Sequence, residues 1–270
     1  MKLNNIKAAF FDMDGTIVSF TTHKISDKDI AAINKLRESG ILVFISSGRD
    51  KNNIMKVLDN TLEVDGFVGM NGNLNVIGEE IISEHFMDED DVLFIVDASK
   101  RLNFALSLFT REGVVLNVAD DKVHAVHDHV EVPIPKIASL DDLDLSKVFQ
   151  MNSYTTRAFD EENLVPYMNN SVFKRWNDDF ADINSKKTSK LKGINEIIQK
   201  LGIDIKDTIS FGDSENDLEM IKGTGVSVAM ANAMPVIKNA ANILLRIATS
   251  RERLILLKTT SYKLDFLYAL

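Results

Sequence analysis

Residues 6–16 read Ile6-Lys7-Ala8-Ala9-Phe10-Phe11-Asp12-Met13-Asp14-Gly15-Thr16, a short apolar run broken off by two carboxylates, a glycine and a threonine. A run of this length ending in a polar, glycine-bearing turn is the pattern of a buried strand, and it puts Asp12 and Asp14 at the strand's C-terminal end. Downstream, residues 27–39 carry Ile30, Ile33 and Leu36 near helical spacing, with Gly40 as a C-terminal stop. The pattern then repeats. The run 41–45 ends in Ser46-Ser47-Gly48-Arg49 and is followed by a helical stretch over about 52–58. The run 67–70 leads into Asn71-Gly72, and 208–211 leads into Gly212-Asp213, with 226–229 as one more apolar run. Strands alternating with helices predict an α/β fold built on a parallel, Rossmann-like sheet, in which ligands gather beyond the strands' carboxyl ends.

The middle of the chain has a different texture. Residues 83–182 hold Gly113 as the single glycine of 13, and three of the four prolines, Pro133, Pro135 and Pro166. This contrast predicts an inserted α+β domain at 83–182 within a discontinuous core of residues 1–82 and 183–270. Its expected elements are helices over 88–102 and 160–168, and strands over 114–118 and 122–126 flanking the turn-prone Asp120-Asp121.

Composition narrows the function classes. Hydrophobic residues at 45% and charged residues at 26% exclude a disordered or fibrous class. A net charge of −9 argues against a nucleic-acid partner, which would need a concentrated basic surface. One small phosphorylated metabolite needs only a local nest of amides, a cation or two and a metal. With no cysteine, disulfides, thiolate catalysis and cysteine-ligated zinc are excluded. The N-terminal apolar run is interrupted by Lys7 and too short for a signal or a membrane span, so no membrane association is expected and a cytoplasmic location is.

Asp12 and Asp14, two residues apart at a strand end, suit phosphoryl transfer. One carboxylate attacks phosphorus to give an acyl-phosphate, and the other protonates the leaving oxygen and later activates water. The bland alternative is a capped turn, since Asp, Gly and Thr are common turn formers. What weighs against it is a second carboxylate cluster, Gly212-Asp213-Ser214-Glu215-Asn216-Asp217, after a second apolar run. Its oxygen ligands suit Mg2+.

With these motifs the chain resembles the haloacid dehalogenase superfamily, and more narrowly its Cof-type (subclass IIB) sugar phosphatases, from about residue 6 to 242. The first family motif, DxDGT, is met by Asp12, Asp14, Gly15 and Thr16. The second is met by Ser47 in Ser47-Gly48-Arg49, the third by Lys190 ahead of Ile194, Ile197, Ile198 and Leu201, and the fourth by Gly212, Asp213, Asn216 and Asp217. The resemblance implies a magnesium-dependent phosphomonoester hydrolase acting on sugar phosphates or similar metabolites through an aspartyl-phosphate. It also implies a metal site of Asp12, the Asp14 carbonyl and Asp213 with Asp217 in support, and a phosphate held by Ser47, Lys190 and Asn216. A phosphomutase shares the intermediate, and a non-catalytic sugar-phosphate sensor would lack one of the two aspartates.

Several residues keep two readings. Ser47 is either a phosphate ligand or a hydroxyl bonding its own turn. Lys190 is one of four lysines in 186–192, a run that elsewhere is a solvated face. Arg49 is a surface cation or a substrate contact, and Asn71-Gly72 a simple turn or a substrate-edge loop. Trp176 is more often packing than a sugar platform. His124, His127 and His129, beside Asp128, lack a recognised ligand spacing and are read as a solvated strand end. The tail from Ile243 departs from the family pattern, with five basic and two acidic residues, and Leu254, Leu257 and Lys258 allow a helix there. Neither the oligomeric state nor the physiological substrate is legible.

Overall fold

The computed structural model describes residues 5–59, 61–130, 132–247 and 253–257. The chain forms two compact units, Met1–Ser83 with Ser189–Leu270, and Glu84–Thr188.

The first unit begins with β1 (Ala8–Phe11), whose four residues are all buried, as befits a strand covered on both faces. Then come α1 (Asp27–Glu38), β2 (Leu42–Ser46), α2 (Lys51–Leu58), β3 (Gly66–Gly69), β4 (Leu74–Ile77) and β5 (Glu80–Glu84). Ser26 caps α1 by accepting from the Asp29 amide, and Asp50 caps α2 by accepting from the amides of Asn52 and Asn53.

The second unit follows with α3 (Glu89–Leu102), β6 (Leu106–Thr110), β7 (Gly113–Leu116), α4 (Asp121–Val130), β8 (Lys136–Ile137), β9 (Gln150–Ser153), α5 (Arg157–Asn163), β10 (Ser171–Asn177) and β11 (Phe180–Ser185). Its sheet runs β10-β11-β9-β6-β7-β8 and is antiparallel except between β7 and β8. Val92, Ile95 and Val96 of α3 pack with Leu106, Leu108, Met151 and Ile183 of the sheet. The α+β character is as expected, but two elements differ.

Residues 122–126 are not a strand: they lie within α4, where Val123 and Val126 join a cluster with Ala105, Leu116, Tyr154 and Phe180. The apolar positions are three apart, a helical interval, and the Asp120 side chain accepts from the Val123 amide at 2.9 Å, so the supposed turn residue caps a helix. The three histidines therefore lie on a helix, not at a strand end. The expected helix over 160–168 begins earlier and ends sooner. Thr156 caps α5 by accepting from the Phe159 amide, and Pro166 falls in a separate 3-10 turn, Val165–Tyr167.

The chain returns to the first unit with α6 (Lys190–Leu201), β12 (Thr208–Gly212), α7 (Leu218–Gly223), β13 (Val226–Ala229), α8 (Pro235–Ala240), β14 (Ile243–Ile247) and β15 (Arg253–Leu257). Among the described residues its sheet has nine strands in the order β15-β14-β13-β12-β1-β2-β3-β4-β5. From β14 to β3 all neighbours are parallel, and β4 and β15 are antiparallel to theirs. Alternation along β1 sends Phe10 to the face where it stacks on Phe44 at 5.1 Å, among Ile194, Ile197 and Ile198 of α6. Phe11 points the other way and stacks on Phe211 at 4.4 Å.

The helix allowed by Leu254, Leu257 and Lys258 is corrected to a strand at the first two of these, Lys258 lying outside the described residues. β15 pairs with β14 from Ile243↔Leu257 to Ile247↔Arg253, and the four-residue apolar run Leu254-Ile255-Leu256-Leu257 is strand-sized. Residues 248–252 and 258–270 of that tail lie outside the described residues, as does the Trp176 side chain.

Candidate active site

Four strand ends of the first unit carry the site. Asp12 follows β1, Ser47 and Arg49 follow β2, the turn Met70–Gly72 follows β3, and Asp213 follows β12. Because β12, β1, β2 and β3 are adjacent and parallel, four turns that lie far apart in sequence are brought side by side. Lys190 enters from the first residue of α6, which Ser189 caps by accepting from the Lys192 amide.

Lys190 is fully buried, and its ammonium donates to Asp12 Oδ1 and to Asp217 Oδ1, each at 2.6 Å. Asp217 is equally buried, and its Oδ2 accepts from the amides of Asp213 at 2.9 Å and Ser214 at 3.0 Å. Both of its oxygens are thus committed to holding the 213–217 turn and the lysine. Asp213 Oδ1 accepts from Thr16 Oγ1 at 3.3 Å and its Oδ2 from Asn232 Nδ2 at 3.2 Å. Asp12 Oδ2 is buried and has no hydrogen-bond partner.

Three buried carboxylates face one ammonium, and their oxygens lie within 4.8 Å of one another. Burial, then the negative charge of Asp217 and that of Asp213, push the Asp12 carboxyl well above the usual carboxylate range, against the pull of Lys190. Burial and Asp217 likewise raise Asp213, to about 6. Burial alone would lower Lys190, but Asp12 and Asp217 outweigh it and raise it. The excess negative charge, the orphaned Asp12 oxygen and an all-oxygen donor set fit a hard divalent cation such as magnesium.

Beside this cluster, Arg49 donates from Nε to Asp14 Oδ2 at 2.9 Å and from Nη2 to Asp14 Oδ1 at 2.7 Å. Asn216 donates from Nδ2 to Asn71 Oδ1 at 3.2 Å and accepts from Ser214 Oγ at 2.7 Å. The turn after β3 is wound left-handed over three residues, Met70, Asn71 and Gly72, with φ of 48°, 56° and 96°. It is pinned to the turn after β2: the Met70 amide donates to the Arg49 carbonyl and the Asn71 amide to the Ser47 carbonyl, both at 3.0 Å. Ser47 Oγ accepts from the Arg49 amide at 3.2 Å, so its hydroxyl bonds its own turn. Gly72 has a packing reason: a Cβ there would run into the Ser189 carbonyl.

Asp12, Asp213, Asp217 and Lys190 form one cluster, and Asp14 with Arg49, and Asn71 with Asn216, lie on the neighbouring turns. Asn232 was missed. Its amide reaches both the Gly15 carbonyl, at 2.9 Å, and Asp213. The available signal was its place just past the end of β13, as the single polar residue in Met230-Ala231-Asn232-Ala233-Met234. The histidine group does not form a metal site: His127 bonds the Val132 carbonyl at 3.0 Å and the Tyr154 hydroxyl at 2.9 Å, and His124 and His129 are exposed.

Comparison with known proteins places this geometry. A model of the haloacid dehalogenase-like hydrolases matches residues 9–251. The solved structure of the subclass IIB sugar phosphatase BT4131 is 31% identical, with a TM-score of 0.79 over 88% of this chain and 93% of its own. The YkrA protein of Bacillus subtilis (strain 168) is 28% identical over 242 residues, 87% of this chain and 90% of its own length. A phosphoglycolate phosphatase of Methanopyrus kandleri is 26% identical over 238 residues, 87% of this chain and 88% of its own.

Proposed function

This chain belongs to the haloacid dehalogenase-like hydrolases, and from that premise we propose that it is a magnesium-dependent phosphatase of sugar phosphates or similar small phosphorylated metabolites, working in the cytoplasm. The observation that carries the reading is the Asp12 carboxylate at the end of β1, one oxygen held by Lys190 and the other buried without a partner. The inserted cap, expected at 83–182, corresponds in this reading to the compact unit Glu84–Thr188.

Asp12 is the nucleophile. Its carboxylate forms a bond to phosphorus as the bond to the leaving oxygen breaks, giving an aspartyl-phosphate, and water then attacks that phosphorus to release phosphate and restore Asp12. Asp14 gives its proton to the departing alkoxide and takes one from the water in the second step. Lys190 orients Asp12 and sets positive charge beside the transferring group, while Ser47, Asn216 and the Asn71-Gly72 edge line the phosphate's approach. Asp12, Asp213 and the Asp14 carbonyl would hold the magnesium ion, with Asp217 bracing them. When bound, the ion offsets charge on the phosphoryl oxygens.

The test is phosphate release from a panel of sugar phosphates and a chromogenic aryl phosphate, with magnesium and with chelator, comparing wild type with Asp12→Asn. The expected result is magnesium-dependent release that the substitution abolishes in a folded protein. Isomeric sugar phosphates in place of free phosphate would move the assignment to a mutase, and binding without turnover would move it to a sensor.

A further inference from the structure

Asp213 is held by more than its own strand end. The segment 230–234 that leaves β13 is laced to it: the Met230 amide donates to the Gly212 carbonyl at 3.2 Å and the Met234 amide to the Asp213 carbonyl at 2.8 Å. Asn232 stands midway between these two bonds. Its Nδ2 donates to Asp213 Oδ2 at 3.2 Å and to the Gly15 carbonyl at 2.9 Å. Both partners are acceptors, so the nitrogen of the amide faces them, and two bonds use both of its hydrogens. The same Asp213 oxygen lies tight over Gly15, where a Cβ would come within 2.4 Å of it. On the other side of Gly15, its own amide donates to the Val18 carbonyl at 2.9 Å. The Gly15 backbone, at φ 84°, is thus tethered at both its peptide groups, one of which carries the Asp14 carbonyl.

We propose that Asn232 is a positioning residue for the metal site, which sets the Asp213 carboxylate against the Asp14–Gly15 backbone before a cation binds. The inference rests on the magnesium site of the reading above, where Asp213 and the Asp14 carbonyl are ligands. Asp12, Asp213 and Asp217, with oxygens within 4.8 Å of one another, repel. A donor on Asp213 opposes that repulsion and narrows the positions its carboxylate visits, so less ordering is left to the binding step. The geometry disfavours a substrate contact, because Asn232 has no hydrogen left to give a phosphate and its remaining oxygen is itself an acceptor.

The experiment is isothermal titration of magnesium chloride into the metal-free full chain, with no substrate present, for wild type, Asn232→Ala and Asn232→Ser. Serine keeps a polar side chain but has a single hydrogen to donate, so it cannot serve two partners. Both variants are expected to bind magnesium at least about tenfold more weakly, the usual cost of losing a partner of a metal-ligating side chain. The magnesium concentration that gives half-maximal phosphate release should rise by the same factor. Urea unfolding in chelator separates this role from a brace of the fold: equal magnesium affinity with lowered stability in chelator would make Asn232 structural only and overturn the proposal. Equal affinity with a raised KM for a chromogenic aryl phosphate would make it a substrate contact and overturn it too. Should Asn232→Ala fail to fold, Asn232→Ser decides alone. If wild type binds magnesium and both variants match it, the positioning role falls and the phosphatase reading stands. Wild type that binds no magnesium sinks the metal-dependent reading and the positioning role with it.

Discussion

Lys190 sits in the core with no exposure, bonded to two carboxylates that are themselves buried. Removing one partner of a buried ion pair leaves uncompensated charge and costs about 3–5 kcal/mol. Lys190→Ala is therefore expected to lower the urea-unfolding free energy by about that much, and added magnesium to recover more stability in the variant than in wild type, because the ion replaces the missing positive charge. Tyr154 offers a second test at this scale. Burial holds its phenol up to about 12, so the folded protein keeps a proton that the unfolded chain releases near 10. Between those values the unfolded state binds fewer protons, and stability falls as pH rises. The expected result is a steeper loss of unfolding free energy from pH 9.5 to 11.5 in wild type than in Tyr154→Phe. Single residues were also where the sequence was least explicit. Asp12 and Asp213 stood out because each ends an apolar run. The Asp14–Arg49 fork spans 35 residues and the Asn232–Asp213 bond 19, and no local pattern encodes either partner.

Elements were more legible than contacts. β1 and β2 are near-continuous apolar runs because both their faces are covered, β12 alternates Ile209 and Phe211 with buried Thr208 and Ser210, and α6 announces itself through Ile194, Ile197 and Ile198. α4 was misread because the turn-prone Asp120-Asp121 suggests a hairpin, although Val123 and Val126, three apart, already have helical spacing and Asp120 caps the helix. β15 was missed, a helix having been allowed there, because its pairing with β14 sets its form and no local pattern shows that partner. The turn after β3 supplies the test at this scale. Gly72 has φ of 96°, and a Cβ there would strike the Ser189 carbonyl, which precedes Lys190. Gly72→Ala should thus displace the start of α6. A stability loss of about 1–3 kcal/mol is expected from the backbone conformation alone, together with a fall in kcat that exceeds any change in KM, read from urea unfolding and steady-state kinetics.

At the scale of the whole molecule, the two units are built differently. Glu84–Thr188 is one continuous stretch with its own clusters around Ile95 and Leu108, and around Tyr154 and Phe180. The other unit needs both ends of the chain, because β1 pairs with β2 on one side and with β12 on the other. Residues 84–188 expressed alone are expected to unfold cooperatively in denaturant, whereas residues 1–83 alone should show no cooperative transition; circular dichroism and amide exchange check both.

The pairing of Ala8 with Thr208 bears on how the protein is made. On a ribosome adding about 5–20 residues per second, the partner of β1 is synthesised roughly ten to forty seconds after β1 itself. During that interval the apolar Ala8–Phe11 segment has an unpaired edge, while the intervening stretch has time to fold on its own. The nascent chain thus carries its nucleophile on an unfinished sheet, and chaperone capture during synthesis should centre on the first eighty or so residues.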